Sequence, residues 1–433
     1  MHTLFPQSTE LLSRSHYPVA IIGGGQAGLS TSHYLKANGI DHIVFEKHRV
    51  AHSWAKDRWD TFCLVTPNWQ CRLPDFPYQG DDPKGFMLKD QIVDYVEAFA
   101  RKVAPPILEG VTVQQVSRRL DGHFDVVTSA GAFTAEHVVV ATGGYDIPLV
   151  PEYAHSLPRH ITQVHSADYR NPESLPDGEV LVVGSGQSGV QIMEDLVIAG
   201  RRVHLCVGPA PRAPRLYRGR EVTEWLMEMG YYNSTVDTHP LGVKARESTN
   251  HYFSGRDGGH EIDLRKFARA GVRLYGSMAN IVGSRVEFVP DLTRNLDDAD
   301  KVYVSIRNDI DTYIAKAGID APEAAPFEKV WAPDTDPVAV DCAAAGITTI
   351  VWATGFRPDY SWIHLPAFDG RGRPEYRRGV SSVEGLYFLG LPWLHTWGSG
   401  RFLGIADDAQ HLATVISARL ATRCGTEGVP VAA

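Results

Sequence analysis

The fold is decided at residues 19–28, which read Val19-Ala20-Ile21-Ile22-Gly23-Gly24-Gly25-Gln26-Ala27-Gly28. The four apolar residues predict a buried strand, and the Gly-x-Gly-x-x-Gly pattern after them predicts a tight turn into a helix. A second apolar run, residues 42–45, ends at Glu46. Strand, glycine turn, helix and second strand together predict a βαβ unit that binds a dinucleotide.

This first unit has the features of an FAD site. Its glycines let the backbone approach a pyrophosphate, and Glu46 stands about 20 residues further on, where a carboxylate accepts hydrogen bonds from a ribose hydroxyl. We therefore assign the unit to FAD. The predicted FAD-binding residues here are Gly23, Gly25, Gln26, Ala27, Gly28, Glu46 and the adjoining Lys47.

The same pattern recurs at residues 180–189, which read Val180-Leu181-Val182-Val183-Gly184-Ser185-Gly186-Gln187-Ser188-Gly189. A strand-like run over residues 203–207 follows, but no acidic residue ends it. Arginines cluster in residues 212–220 instead, and a guanidinium can pair with the 2′-phosphate of NADP(H). The alternative, a solvated basic loop, stays open. The predicted NADP-binding residues are Gly184, Ser185, Gly186, Gln187, Ser188, Gly189, Arg212 and Arg215.

An Ala-Thr-Gly turn also occurs twice, each time after an apolar run. The first turn is Ala141-Thr142-Gly143 and the second is Ala353-Thr354-Gly355. Small residues at a strand end let the backbone pass close to a nucleotide. We therefore add Thr142 and Gly143 to the FAD site and Thr354 and Gly355 to the NADP site, although each turn alone could be an ordinary tight turn.

The order of these parts predicts an α/β protein with two interleaved Rossmann-like dinucleotide-binding domains of the three-layer β/β/α type. Residues 1–170 and 350–433 would form a discontinuous FAD-binding domain. Residues 176–349 would form the NADP-binding domain. An acidic stretch at about 290–340, with a helical pattern over residues 304–317, is expected to be a peripheral insertion.

Composition and charge exclude several other classes of protein. Lys and Arg total 42 against 51 Asp and Glu, and the net charge of −9 argues against a nucleic-acid binder. There is no run of 18 apolar residues and no secretory pattern in residues 1–15, so we expect no membrane span and a cytoplasmic location. The five cysteines contain no Cys-x-x-Cys pair, which favours free thiols. The evenly spaced His155, His160 and His165 lack nearby cysteines, so no metal site is predicted.

The chain resembles the flavin-containing monooxygenases, the class B flavoproteins with one FAD and one NADP(H) site. Besides the two glycine motifs, residues 164–169 match the end of the family's linker signature, with His165 and Tyr169 in place. Arg159 and Ile161 replace its Phe and Gly. Other segments similar to the family contain Ser53-Trp54, Arg58-Trp59-Asp60 and residues 385–390. The strongest resemblance is to bacterial flavin-dependent oxidoreductases associated with nitrilase gene clusters.

The resemblance implies an NADPH- and O₂-dependent monooxygenase that forms a C4a-(hydro)peroxyflavin and oxygenates a small nitrogen- or sulfur-containing substrate. It adds Ser53 and Trp54 to the FAD site. Gly404 is also predicted to bind FAD, since it precedes a helical pattern whose N-terminus is expected to face the flavin, although an ordinary core helix there stays open.

Two residues are candidates for catalysis. His395 is the best placed titratable group, and Asn68 follows the turn at Thr66-Pro67. A structural role for His395 stays open. So do two other functions: a flavoprotein reductase without oxygenation, and a nucleotide-sensing protein. The expected partners are the small-molecule substrate and O₂, and a homodimer is left open.

Overall fold

The computed structural model describes residues 4–5 and 9–426, so the prediction made for residues 1–15 falls partly outside it. Its strands are β1 (His16–Ile22), β2 (His42–Glu46), β3 (Arg72–Leu73), β4 (Phe76–Pro77), β5 (Ile107–Glu109), β6 (Val113–Arg118), β7 (Phe124–Thr128), β8 (Gly131–Val140), β9 (Ile147–Pro148), β10 (Thr162–His165), β11 (Glu179–Val183), β12 (Val203–Cys206), β13 (Leu216–Tyr217), β14 (Arg220–Glu221), β15 (Arg273–Tyr275), β16 (Met278–Val282), β17 (Arg285–Phe288), β18 (Ala339–Asp341), β19 (Ile347–Trp352), β20 (Phe356–Arg357), β21 (Ile363–His364), β22 (Tyr376–Arg377), β23 (Val380–Ser381) and β24 (Leu386–Phe388).

The α-helices are α1 (Thr9–Ser13), α2 (Gln26–Ala37), α3 (His52–Lys56), α4 (Lys89–Val103), α5 (Gln187–Ile198), α6 (Val222–Glu228), α7 (Leu264–Arg269), α8 (Leu292–Ala317), α9 (Cys342–Ala345) and α10 (Ile405–Thr426). Short 3-10 helices lie at Asn68–Gln70, Glu152–Ser156, Pro172–Ser174, Tyr231–Asn233, Gly242–Glu247 and Arg256–Gly258. Within residues 9–426, no helix is both long and apolar enough to cross a membrane.

The larger sheet has ten strands and contains the first glycine motif. Its main path runs β21-β6-β7-β8-β1-β2-β5, and β24, β23 and β22 continue from β8. Strand β1 lies between β8 and β2 and is parallel to both. One face of this sheet packs against α2, α4 and α10 through residues such as Leu29, Phe99 and Leu412. The sheet therefore combines strands from residues 16–140 with strands from residues 363–388.

The second sheet has five parallel strands in the order β10-β19-β11-β12-β15 and contains the second glycine motif. Strands β10 and β19 both belong to it. The chain enters this sheet at Thr162 and leaves it after Trp352, whereas the predicted domain boundaries lie near residues 170 and 350. The pairing of β10 with β19 was not predicted, because the two strands are distant in sequence.

The acidic stretch is placed between β17 and β18, but it is not peripheral. Helix α8 spans Leu292–Ala317, which is longer at its N-terminus than the pattern over residues 304–317 predicted. Leu292 and Leu296 are buried in the core of the second sheet. Asp300 is also buried, and its carboxylate pairs with Arg265 at 2.8 Å and Arg212 at 3.2 Å. The early turns of α8 therefore pack through an ion pair as well as apolar side chains.

Candidate functional site

Both glycine motifs open onto one large cavity of about 2160 Å³. Gly25 and Gln26 at the start of α2 line it, and so do Gln187 and Ser188 at the start of α5. Ordinary small-molecule sites occupy about 300–1,000 Å³. The free N–H groups at a helix N-terminus favour anions such as a pyrophosphate. The cavity thus has two anion-binding helix ends and room for more than one nucleotide.

The residues of the first motif fit a dinucleotide. The Glu46 carboxylate accepts hydrogen bonds from the backbone N–H of Gly24 at 2.7 Å and of His48 at 2.8 Å. Burial raises the pKa of Glu46, and these two hydrogen bonds oppose that rise. Gln26 Oε1 and Thr142 Oγ1 are buried, have no hydrogen-bond partner and belong to residues that line the cavity. A bound ligand would supply partners for both.

The two Ala-Thr-Gly turns have the same structural role in the two sheets. Gly23 has a φ of +109°, and a Cβ there would lie 2.5 Å from the carbonyl oxygen of Ala141. Gly184 has a φ of +108°, and its Cβ would lie 2.6 Å from the carbonyl oxygen of Ala353. Each turn therefore closes on the first glycine of its motif. The repeated sequence reflects a repeated backbone crossing.

The second motif lacks the carboxylate of the first. In register, Ile22 pairs with Phe45 and Val183 pairs with Cys206. In the first sheet, the residue that follows Phe45 is Glu46. In the second sheet, the residue that follows Cys206 is Val207. Val207 is buried and cannot accept a hydrogen bond from a ribose 2′-hydroxyl or repel a 2′-phosphate. This favours NADP(H) over NAD(H) at the second motif.

Arg212 and Arg215 do not face the cavity, contrary to the sequence prediction. Arg212 is buried and pairs with Asp263 at 3.0 Å. Arg215 is buried as well, donates to the carbonyl oxygen of Val65 at 2.7 Å and pairs with Glu221 at 3.2 Å. Both guanidinium groups therefore have a structural role, since their charges are paired inside the protein. The preference for NADP(H) rests on Val207 rather than on these arginines.

Six other arginines in the part of the chain that the structure describes line the cavity, and Arg58 and Arg401 are two of them. Arg58 donates to the carbonyl oxygen of Asp57 at 2.7 Å, and Arg401 donates to Asn250 Oδ1 at 2.7 Å. Among the described residues, neither guanidinium forms an ion pair with a carboxylate within 4.0 Å. Burial lowers the pKa of both, and Tyr145 acts against that shift in each case. They are candidates for binding anionic groups.

The structure brings only part of the predicted set together. The predicted residues that line the large cavity are Gly23, Gly25, Gln26, Ala27, Glu46, Lys47, Ser53, Trp54, Thr142, Gly143, Gln187 and Ser188. The predicted glycine-motif and turn residues outside that lining are Gly28, Gly184, Ser185, Gly186, Gly189, Thr354 and Gly355. The residues outside the lining shape the turns and do not face the cavity.

Asn68 and His395 lie outside the large cavity too. Asn68 is buried, donates to the carbonyl oxygen of Asp82 at 2.9 Å and accepts from the N–H of Met87 at 2.8 Å. These two hydrogen bonds hold Asn68 against the loop that contains Asp82 and Met87. His395 and Gly404 line a second, smaller cavity. Burial lowers the pKa of His395, and the nearby Arg378 lowers it further.

A buried carboxylate in α5 joins that helix to the segment after α3. Asp195 accepts hydrogen bonds from Thr61 Oγ1 at 2.6 Å and from the Tyr169 hydroxyl at 2.7 Å, and it pairs with Arg256 at 2.6 Å. Thr61 lies in the segment that follows α3, whereas Asp195 lies in α5. Tyr169, the last residue of the linker signature, thus helps to hold the linker and the segment after α3 to helix α5.

Replacing Tyr169 with Phe should lower the free energy of unfolding by about 1–3 kcal/mol, because the buried Asp195 loses one of its donors. FAD should stay bound, since Tyr169 does not line the cavity. Urea denaturation of the FAD-loaded protein measures the change. An unaltered unfolding midpoint would show that the Tyr169–Asp195 hydrogen bond does not contribute.

The described cysteines are all free thiols. Cys63, Cys71, Cys206 and Cys342 are free and buried, and the side chain of Cys424 lies outside the described residues. Of these four, Cys63 alone lines the large cavity. Burial raises the pKa of Cys63 to about 11 and that of Cys71 to about 12. The raised pKa disfavours the nucleophilic thiolate form of both residues at neutral pH.

Comparisons with known proteins agree with this architecture. A family model described as pyridine nucleotide-disulphide oxidoreductase matches residues 20–226. The CzcO-like oxidoreductase of Geobacillus kaustophilus (strain HTA426) is 34% identical over 397 residues, which cover 91% of this chain and 96% of that protein. Indole-3-pyruvate monooxygenase YUCCA1 of Oryza sativa subsp. japonica is 30% identical over 190 residues, 43% of this chain and 47% of that protein.

A solved structure shares the whole fold. The flavin-containing monooxygenase from Stenotrophomonas maltophilia superposes with a TM-score of 0.64 at 18% identity and covers 94% of this chain and 99% of its own. The sequence prediction of a two-motif α/β flavoprotein is confirmed. The chain belongs to the CzcO-like oxidoreductases, a flavin monooxygenase-like family of flavin-dependent enzymes.

Proposed function

We propose that the protein is an NADPH- and O₂-dependent monooxygenase that oxygenates a small nitrogen- or sulfur-containing substrate. FAD and NADP(H) are its cofactors, with FAD at the first glycine motif and NADP(H) at the second. The observation that carries the proposal is the cavity that both motifs share, in whose lining Cys63 is the one described cysteine. The association with nitrilase gene clusters stays a prediction.

The domain assignment follows the two sheets. We propose that the FAD-binding domain contains the ten-stranded sheet and is interrupted by the NADP-binding domain, which contains the five-stranded sheet. The interruption begins before Thr162 and ends after Trp352. This keeps the interleaved arrangement of the sequence prediction and shifts only its boundaries.

FAD, when bound, supplies the capacity to accept a hydride from NADPH and to activate O₂. The protein's residues supply binding and orientation. Glu46 holds the ribose of FAD, and the N–H groups at the start of α2 hold its pyrophosphate. The N–H groups at the start of α5 hold the pyrophosphate of NADP(H). Arg58 and Arg401 take up anionic groups inside the cavity.

Aromatic side chains provide the dry surroundings that an oxygenation reaction needs. Trp54 stacks on Phe402 with ring centroids 5.7 Å apart, and Tyr232 lies 4.7 Å from Trp397. All four residues line the large cavity. Asn68 and His395 have no direct role in this proposal, because neither side chain borders that cavity.

Known relatives support the oxygenation step. YUCCA1 is named an indole-3-pyruvate monooxygenase, and the structural neighbour from S. maltophilia is a flavin-containing monooxygenase. The family model, by contrast, also includes disulphide oxidoreductases by its description. Oxygenation and disulfide reduction therefore have to be separated by experiment.

The test uses FAD-loaded protein with NADPH, ¹⁸O₂ and a panel of small amines and sulfides. For at least one member of the panel, the proposal predicts one ¹⁸O atom in the product for each NADPH oxidised. Mass spectrometry of the products and an NADPH assay give the ratio. If every compound leaves the electrons of NADPH in hydrogen peroxide or an acceptor dye, the protein is a reductase and the proposal is wrong.

Replacing Cys63 with Ser should change the rate of NADPH oxidation less than twofold. The thiol has a raised pKa and no cysteine partner in the described cavity lining, so it cannot reduce a disulfide. Steady-state NADPH oxidation checks this. Cys206→Ser, at a buried site away from the cavity, is the matched control. A more than tenfold loss confined to Cys63→Ser would favour the reductase.

A further inference from the structure

A second cavity of about 510 Å³ lies beside the first and shares Tyr232 with it. It is formed mainly by the first turns of α10 and by the loop before that helix. Its charged and titratable lining residues are Arg72, Arg378, His395, Asp407, Asp408 and His411. The proposed monooxygenase reaction uses none of them.

Two polar atoms in this cavity are buried and have no hydrogen-bond partner. One is Oδ2 of Asp408, whose side chain is 3% exposed, and the other is Nε of Arg378. Arg378 Nε lies 3.9 Å from Asp408 Oδ1, which is too far for a hydrogen bond. Burial raises the pKa of Asp408 to about 6, and a hydrogen bond with Ser399 and the charge of Arg378 oppose that rise. A buried acceptor and a buried donor thus stand next to each other unsatisfied.

The charges of the lining select the kind of ligand. An anion would meet Arg378 and Arg72 but also the two carboxylates of Asp407 and Asp408. A cation would meet those carboxylates but also the two guanidiniums. A zwitterion satisfies both sets, provided that its charged groups are close together. An amino group and a carboxylate on one carbon meet that condition.

We propose that the second cavity binds an α-amino acid as a zwitterion. The ammonium group donates to Asp408 Oδ2, and the carboxylate accepts from Arg378 Nε. The α10 N-terminus stabilises negative charge nearby. This proposal does not depend on the proposed monooxygenase function, because neither Arg378 nor Asp408 lines the large cavity.

The backbone at Arg378 offers a way to separate binding from folding. Arg378 and Gly379 form the two-residue connection between β22 and β23, with φ of +46° and +80°. Asn is favoured over Arg in such a turn, because its short side chain tolerates positive φ. Arg378→Asn should therefore fold at least as well as the wild type while it removes the guanidinium.

The experiment is calorimetric titration of the FAD-loaded protein with the proteinogenic amino acids, followed by the best binder in variants. We expect saturable binding of at least one amino acid, and a dissociation constant raised at least tenfold in both Arg378→Asn and Asp408→Asn. Asp90→Asn, an exposed carboxylate in the first turn of α4 that lines neither cavity, is the control and should change binding less than threefold.

Analogues that lack one charge complete the test. The matching amine without the carboxylate, and the matching acid without the amine, should each bind at least tenfold more weakly. Thermal unfolding of each variant confirms that it is folded. The proposal is overturned if no amino acid binds, if the amine or the acid alone binds as well as the amino acid, or if folded Arg378→Asn keeps full affinity.

Discussion

Gly189→Ala should leave the protein able to bind FAD, but its reduction by NADPH should need a much higher NADPH concentration. A Cβ at position 189 would lie 1.8 Å from the carbonyl oxygen of Gly184, and this backbone atom cannot move without displacing the turn. Overpacking of this kind costs about 1–3 kcal/mol, which corresponds to roughly a 10- to 100-fold weaker affinity for the nucleotide.

The first motif offers the reciprocal variant. A Cβ at Gly28 would lie 1.9 Å from the carbonyl oxygen of Gly23, so Gly28→Ala should lose FAD instead. FAD content follows from the absorbance of the purified protein, and the NADPH site follows from anaerobic bleaching of that absorbance. Gly370→Ala, where no atom lies within 4 Å of the new Cβ, is the control. If Gly189→Ala is bleached by NADPH with unchanged affinity, the second motif is not the NADPH site.

Val207→Glu should change the preferred electron donor from NADPH to NADH. Val207 occupies the position in the second sheet that Glu46 occupies in the first. A carboxylate there would repel the 2′-phosphate of NADPH and accept hydrogen bonds from the 2′-hydroxyl of NADH. Since unfavourable charge contacts cost several kcal/mol, the apparent affinity for NADPH should fall by about 100-fold or more.

Val207→Gln separates charge from size in this test. The amide has nearly the same volume as the carboxylate but no charge, so it should weaken NADPH much less than Val207→Glu. Steady-state kinetics with both coenzymes give kcat/KM for each variant, and thermal unfolding shows whether a buried Glu is tolerated. Equal losses for NADPH and NADH in the folded Val207→Glu variant would contradict the assignment of the 2′-phosphate to this strand end.

The sequence predicted those parts of the fold that depend on local pattern. The strands and helices around both glycine motifs lie where the apolar runs and the Gly-x-Gly-x-x-Gly spacing put them, because these residues set the turn by their own backbone geometry. The pattern did not reveal why Ala-Thr-Gly occurs twice. That became clear only when Ala141 and Ala353 were seen against Gly23 and Gly184.

The parts that were missed depend on contacts between distant residues. Arg212 and Arg215 read as a phosphate-binding cluster, but their partners Asp263, Asp300 and Glu221 cannot be paired with them from sequence. The beginning of α8 was missed for the same reason, since Asp300 on its buried side is an ion-pair partner rather than an apolar residue. Nothing in the sequence predicted that Arg58 and Arg401 would line the cavity, apart from their place in glycine- and tryptophan-rich segments.

The most direct test of the account is a crystal structure of the protein with FAD and NADP⁺ bound. We expect that the FAD ribose contacts Glu46, that the NADP⁺ pyrophosphate lies at the start of α5, and that the flavin and nicotinamide rings meet in the large cavity. NADP⁺ bound anywhere outside that cavity, or FAD bound at the second motif, would contradict it.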